Sequence, residues 1–225
     1  MKPRDRRNPH RLIVEGPDDL HTVVHLTTAH GVDWESDDSG APYIRDAGGL
    51  DGALRELPTS IKSTRRLGIV LDADQSPAIV WTRIREALRT LSLPTEPPAG
   101  GYVDATESGC RIGVWILPDN QRPGALEDLL TGLIPPSDPV WTYAGEVCRE
   151  ASRRGARFKA HYLHKASVRT WLAWQEQPGV PPGSAIQRGY LDAQQSAAHG
   201  FVRWFQSLFL TAEPSPSPPT DENRP

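Results

Sequence analysis

Carboxylates stand at the ends of three short apolar runs. Leu12-Ile13-Val14 ends at Glu15, Leu67-Gly68-Ile69-Val70-Leu71 ends at Asp72 with Asp74 just beyond, and Ile112-Gly113-Val114-Trp115-Ile116-Leu117 is followed by Pro118-Asp119. Runs that stay apolar until their last residues read as strands buried on both faces. Ligands of an open α/β sheet bind outside the carboxyl ends of its parallel strands. Glu15, Asp72, Asp74 and Asp119 are therefore expected on one rim. Asp19, in the first turn of the helix predicted after Glu15, faces the same way. Aspartates two apart in extended chain point to one side, with alpha carbons about 7 Å apart. Asp72 and Asp74 could then share one metal ion, or hold two about 3.5–4 Å apart.

Such a group resists assembly on its own. Two carboxylates about 4 Å apart repel by about 4 kcal/mol at an effective dielectric near 20. A divalent cation removes that cost, and oxygen-only ligands favour Mg²⁺ or Mn²⁺ over zinc. Mg²⁺ also keeps water and takes phosphate as a co-ligand. The metal set expected from position is Glu15, Asp19, Asp72, Asp74 and Asp119. The competing explanation for each acid is a helix cap or a turn.

Cations are gathered elsewhere. Between Glu146 and Arg169 lie Arg149, Arg153, Arg154, Arg157, Lys159, Lys165 and Arg169, against Glu146 and Glu150 alone. This stretch is either a solvated surface or a face for phosphates. Arg153, Arg154, Arg157, Lys159 and Lys165 are the residues expected to hold a nucleic-acid backbone. The formal net charge of -3 excludes a protein basic all over.

The elements that position these groups follow from periodicity. The first apolar run and the β-like stretches near 42–45, 67–72 and 112–117 alternate with helical patterns opening at Pro17, Leu50, Pro77 and Leu126. That alternation predicts an α/β fold with a largely parallel central sheet flanked by helices, and an antiparallel edge strand near Tyr102. Beyond position 140 the strand signal fades, and 141–154, 159–174 and 197–210 read as helices. Phe201, Val202, Phe205, Leu208 and Phe209 form a docking stripe there. The expected organisation is a basic flexible terminus over 1–10, an α/β domain over 11–140, a helical extension packed on it over 141–211, and a proline-rich disordered tail over 212–225.

The 225 residues suffice for a real core, with about 70% of the chain's surface buried on folding. The two cysteines, Cys110 and Cys148, are too few for a disulfide scaffold. No apolar run reaches the roughly 18 residues of a membrane span, and no signal-peptide pattern follows Met1. A soluble, cytoplasmic protein without membrane contact is expected. No Gly-x-x-x-x-Gly-Lys-Ser/Thr loop is present, so no ATPase site is expected in the chain itself.

Leu12-Ile13-Val14-Glu15-Gly16-Pro17-Asp18-Asp19 together with Leu71-Asp72-Ala73-Asp74 resembles the topoisomerase–primase (Toprim) domain. Asp46-Ala47-Gly48-Gly49 is similar to a segment of Toprim nucleases of the overcoming-lysogenisation-defect type. Leu117 to Asp128 and Thr170 to Gln175 look like a bacterial Toprim-related family of uncharacterised function. The resemblance implies a Toprim-like fold, Glu15 as general acid/base or metal ligand, Asp72 and Asp74 as the metal pair, and Asp19 as a further ligand. It also implies a lysine from a later segment; Lys165 is preferred as catalytic, with Lys159 the other candidate. The activity implied is Mg²⁺-dependent cleavage of DNA or RNA, with a separate ATPase as partner in defence or repair. A non-catalytic module that binds nucleic acid or nucleotide is the alternative. The dipole of the helix they open explains Glu127 and Asp128 without catalysis, and a functional role is the other reading for them.

Overall fold

The computed structural model describes residues 7–36 and 39–211. Five strands, β1 (His10–Val14), β2 (Tyr43–Asp46), β3 (Arg66–Asp72), β4 (Tyr102–Ala105) and β5 (Arg111–Leu117), form one sheet in the order β2-β1-β3-β5-β4. The first four in that order run parallel, and β4 pairs antiparallel with β5 at the edge. Helices α1 (Pro17–Thr28), α2 (Leu50–Ser63) and α3 (Pro77–Ala87) fill the connections from β1 to β4, and α4 (Leu126–Thr131) follows β5. Then follow α5 (Pro139–Arg153), a 3-10 turn (Ala160–Tyr162), α6 (Leu163–Ala173), α7 (Pro182–Gln187) and α8 (Ser196–Phe209). The fold is α/β with a mostly parallel central sheet flanked by helices and a helical C-terminal part, consistent with a Toprim-like arrangement.

Side chains alternate across the strands and divide the core in two. Ile13, Ile69, Leu71, Ile112, Val114 and Ile116 meet residues of α2 and α3 on one face. Leu12, Val14, Val70, Trp115 and Leu117 meet residues of α1, α4 and α8 on the other. The same second cluster holds Ala144, Val168, Trp171, Leu172 and Ile186, so the later helices share the core of the α/β part. The aromatic stripe of α8 is buried, with Phe201, Phe205 and Phe209 at most 1% exposed.

Two glycines make room for α8. Gly68 and Gly113 are register partners on neighbouring strands. A Cβ on Gly68 would lie 2.9 Å from Phe209 Cζ, and one on Gly113 would lie 2.6 Å from Leu208 Cδ2. The missing side chains leave a flat seat on the sheet for the last turns of the helix. Arg66, buried at the start of β3, donates from Nη1 to the Leu208 carbonyl at 3.0 Å and from Nη2 to the Thr211 carbonyl at 2.6 Å. A guanidinium at that position also suits the negative end of the helix dipole.

The expected boundaries shift at the ends. Residues 1–6 and the predicted tail 212–225 lie outside the described residues. The flexible terminus proposed for 1–10 does not extend to its last residues: the Pro9 carbonyl accepts from Arg65 N–H at 2.8 Å, and Asn8 Nδ2 donates to the Ala41 carbonyl. Gly113→Ala should lower stability by about 1–3 kcal/mol through overpacking. The urea midpoint reads this directly, and an unchanged midpoint would mean that the glycine pair is not what seats α8.

Candidate functional site

β1 and β3 are parallel neighbours, with Val14 opposite Val70. The chain leaves β1 through α1 over one face and leaves β3 through α3 over the other, so a crevice opens between their carboxyl ends. Glu15 is the first residue past β1, and its Oε1 accepts the Asp72 N–H at 2.8 Å. The turn after β2 folds over this point: Gly49 N–H donates to the Glu15 carbonyl at 2.8 Å. Gly48 and Gly49 have φ of 69° and 106°, a region glycine enters without steric cost. Asp19 bends back to accept Gly16 N–H on Oδ2 at 2.9 Å, capping α1.

The second wall comes from α4. Asp74 and Gly124 exchange two backbone hydrogen bonds of 2.8 and 2.9 Å, which zip the end of β3 to the loop before α4. Asp72 Oδ1 accepts Leu126 N–H at 3.0 Å. Gly124 has φ of 142°, and a Cβ there would lie 2.6 Å from Asp128 Oδ2. This close approach carries Glu127, only 5% exposed, into the acidic group. Asp128 Oδ2 accepts Ala125 N–H at 2.8 Å.

The third wall is α6. Trp171 Nε1 donates to Asp138 Oδ2 at 3.0 Å, while Oδ1 of Asp138 caps α5, so one carboxylate fixes both helices. Lys165 Nζ then stands 3.0 Å from Glu127 Oε1, and His164 Nδ1 stands 2.5 Å from Asp128 Oδ1. Arg169 pairs with Asp18 of the first α1 turn. Asp72, Asp74, Glu127, Asp128, His164 and Lys165 line one cavity of about 380 Å³.

Negative charge is crowded here. Burial pushes the Asp72 carboxyl up to about 8, with the charges of Asp19, Glu15 and Glu127 adding to it. Burial likewise pushes Asp19 up to about 7 against the pull of the Gly16 amide, and Glu15 and Glu127 raise it further. Glu15 is raised by burial and by Asp74, opposed by the amides of Asp72 and Leu50. Burial alone would lower the Lys165 ammonium; the hydrogen bond and charge of Glu127 outweigh it, and its pKa is raised.

The structure thus brings together Glu15, Asp19, Asp72, Asp74 and Lys165. Asp74 arrives by a different route from the one its spacing suggests. β3 ends at Asp72, and Asp74 has φ of 48°, so the pair does not share an extended segment. Asp119 does not join them. Its Oδ1 accepts the Gln121 and Arg122 N–H groups, and its Oδ2 takes Arg122 Nε at 2.6 Å. Burial would raise it, but these bonds hold it below the usual carboxylate range. Its expected place on the rim is corrected to a turn. Arg153 and Arg154 both pair with Glu150, and Arg157 and Lys159 are exposed in the segment leading to the 3-10 turn. Glu127 is the functional candidate that sequence reasoning placed second to a dipole role; its signal is the Gly124 that must approach Asp128. Among the described residues, no three His, Cys, Asp or Glu side chains are grouped to hold a metal ion as they stand.

Fold and site together define an α/β protein with a carboxylate-lined crevice at the switch point of a parallel sheet. The chain belongs to the family described as protein of unknown function DUF3226, whose model matches residues 9–210. No curated protein and no solved structure matches it. Among the described residues, no helix is long and apolar enough to cross a membrane.

The acids make the metal-free protein pH-sensitive. Asp72 is raised from 3.8 to about 8 and Asp19 from 3.8 to about 7, so in those windows the folded state holds protons the unfolded chain has released. Stability therefore falls as pH rises through them. In EDTA, Tm should decline between about pH 5 and about pH 8, and Asp72→Asn should flatten the decline. At the upper pH the variant should melt at least about 2 °C above the parent, the equivalent of about 1 kcal/mol in a chain of this size. A variant with the same slope as the parent would remove Asp72 as its source.

Proposed function

We propose that the protein is a Mg²⁺- or Mn²⁺-dependent phosphodiesterase acting on DNA or RNA, built on a Toprim-like site. The observation that carries this reading is the excess of buried carboxylate over cation at the crevice: burial and the charges of Glu15 and Glu127 make Asp72 and Asp19 costly to ionise, and Lys165 is the ammonium beside them. The donor set is hard oxygen, which fits Mg²⁺ or Mn²⁺. Asp72, Asp19 and Glu127 would hold the ion, with Glu15 and Asp74 beside them. When bound, the ion supplies Lewis acidity and an acidified water.

The chain's own groups do the rest. Glu15 braces the end of β3 through the Asp72 amide, which fixes where the Asp72 carboxylate stands. Lys165 pairs with Glu127 and lines the same cavity, where an ammonium stabilises charge gathering on phosphoryl oxygens. A carboxylate offers only acceptors, so against an ionised Asp128 the His164 Nδ1 is the donor. The basic residues Arg153, Arg154, Arg157 and Lys159 would track the backbone outside the cavity. A separate ATPase partner belongs to the same proposal, since the chain carries no phosphate-loop motif.

The closed Lys165–Glu127 pair favours the second reading, a module that binds nucleic acid without cleaving it. One assay separates the two. Labelled single-stranded DNA, duplex DNA and RNA are incubated with Mg²⁺ or Mn²⁺, and Tm is followed in parallel. Hydrolysis should appear with at least one substrate and fall about 100-fold in Lys165→Ala and further in Asp72→Ala, both still folded. The metal should also raise Tm, since it binds the native state. Retention of strands without turnover, unaltered in Asp72→Ala, would establish the binding module instead.

A further inference from the structure

A second cleft opens beside the acidic cavity and shares two of its residues. It has a volume of about 440 Å³ and is lined by Phe158, Tyr162, Lys165, Ala166 and Arg169. Tyr162 and Lys165 belong to both hollows, so the two are neighbours. Four of the five residues fall at i, i+3, i+4 and i+7 along the 3-10 turn and α6, which places them on one helical face. Phe158 comes from the loop before that turn.

The composition of this face is specific. An aromatic ring stands at one end in Tyr162 and a guanidinium at the other in Arg169. Ala166 lies between them, and its single methyl leaves the floor flat. Tyr162 is 49% exposed, with the His161 ring 4.1 Å away between centroids. Arg169 is held in place by Asp18 across the crevice. A flat aromatic ring and a fixed guanidinium are the two side-chain surfaces on which nucleobases stack. The ammonium of Lys165 marks the border with the carboxylates, where a phosphate joined to that base would sit.

We propose that this cleft is a subsite for one unpaired nucleobase, taken from a single-stranded nucleic acid whose adjoining phosphate enters the acidic cavity. The inference rests on the phosphodiesterase reading and adds to it a substrate class, strands with bases free to unstack. A paired base has both faces covered by its neighbours in the duplex and must leave the helix before it can reach Tyr162. Ribose and deoxyribose strands offer the same ring faces, so the cleft recognises the base rather than the sugar.

The test is binding in EDTA, by fluorescence anisotropy of labelled strands, so that no turnover intrudes. Three probes of equal length are compared: a base-bearing single strand, as DNA and as RNA, the matching abasic strand, and the duplex. The parent should hold the base-bearing strand about tenfold more tightly than the abasic one, the scale of one stacked base. Tyr162→Ala should reduce that ratio to within about twofold, and Tyr162→Trp should keep it. Phe158→Ala is a second variant with the same expected direction. Tyr162 is half exposed, so its truncation should leave Tm unchanged. Lys165→Ala should weaken base-bearing and abasic strands alike. Equal binding of both strands by the parent overturns the subsite, as does an equal loss on both in Tyr162→Ala, or retention of neither strand. Base preference without hydrolysis in Mg²⁺ keeps the subsite and ends the phosphodiesterase reading. Hydrolysis with no base preference ends the subsite alone.

Discussion

Carboxylates packed against one another, with too few cations to balance them, set the terms for this molecule. Glu15 and Asp72 stand at the ends of adjacent parallel strands because β1 and β3 pair in register, and Asp19 is drawn in by the first turn of α1. The backbone carries part of the electrostatic load. An Asp72 amide faces Glu15, a Gly16 amide faces Asp19, and a Leu126 amide faces Asp72. Each fixes one oxygen of its partner and lowers the cost of charging it. These bonds do not remove the repulsion, as the raised pKa values of Asp72 and Asp19 record. A cation bound at such a rim would favour the native state, so its binding would be coupled to stability.

The cavity is a joint product of the two halves of the chain. The strands and α1 bring the acids, the Asp74–Gly124 bridge brings α4, and Asp138 locks α5 to α6 so that Lys165 meets Glu127. The later helices are not an appendage in energetic terms. Trp171 and Leu172 of α6 belong to the same buried cluster as Val14 and Leu117 of the sheet. Removing them would expose the face of the sheet on which α1 and α4 also rest.

Much of this was legible from residue order. Apolar runs with acid ends marked β1 and β3 because a buried parallel strand leaves no other pattern, and the stripe of α8 was plain from its aromatic spacing. The failures have physical causes. Asp119 also follows a strand, but the backbone after Leu117 turns so that its side chain meets the amides of Gln121 and Arg122 and the Arg122 guanidinium. Spacing cannot tell an acid aimed at the crevice from one folded into its own turn. Glu127 looked like a dipole partner because the dipole explanation suffices locally; its burial depends on contacts with β3 and α6, far away in sequence. The short α7 opens at the end of the proline-rich stretch 178–182, and its Gly183 packs directly on the backbone of His21 in α1, a contact no local pattern announces.

Arg66 has a practical corollary. By gripping the carbonyls of Leu208 and Thr211, it holds the end of the described chain at the amino-terminal border of β3. Asp72 closes the same strand six residues later, about 20 Å away at roughly 3.3 Å per residue. Tethering the protein to a surface by a group placed at Thr211 would therefore present the crevice outward, toward whatever flows past.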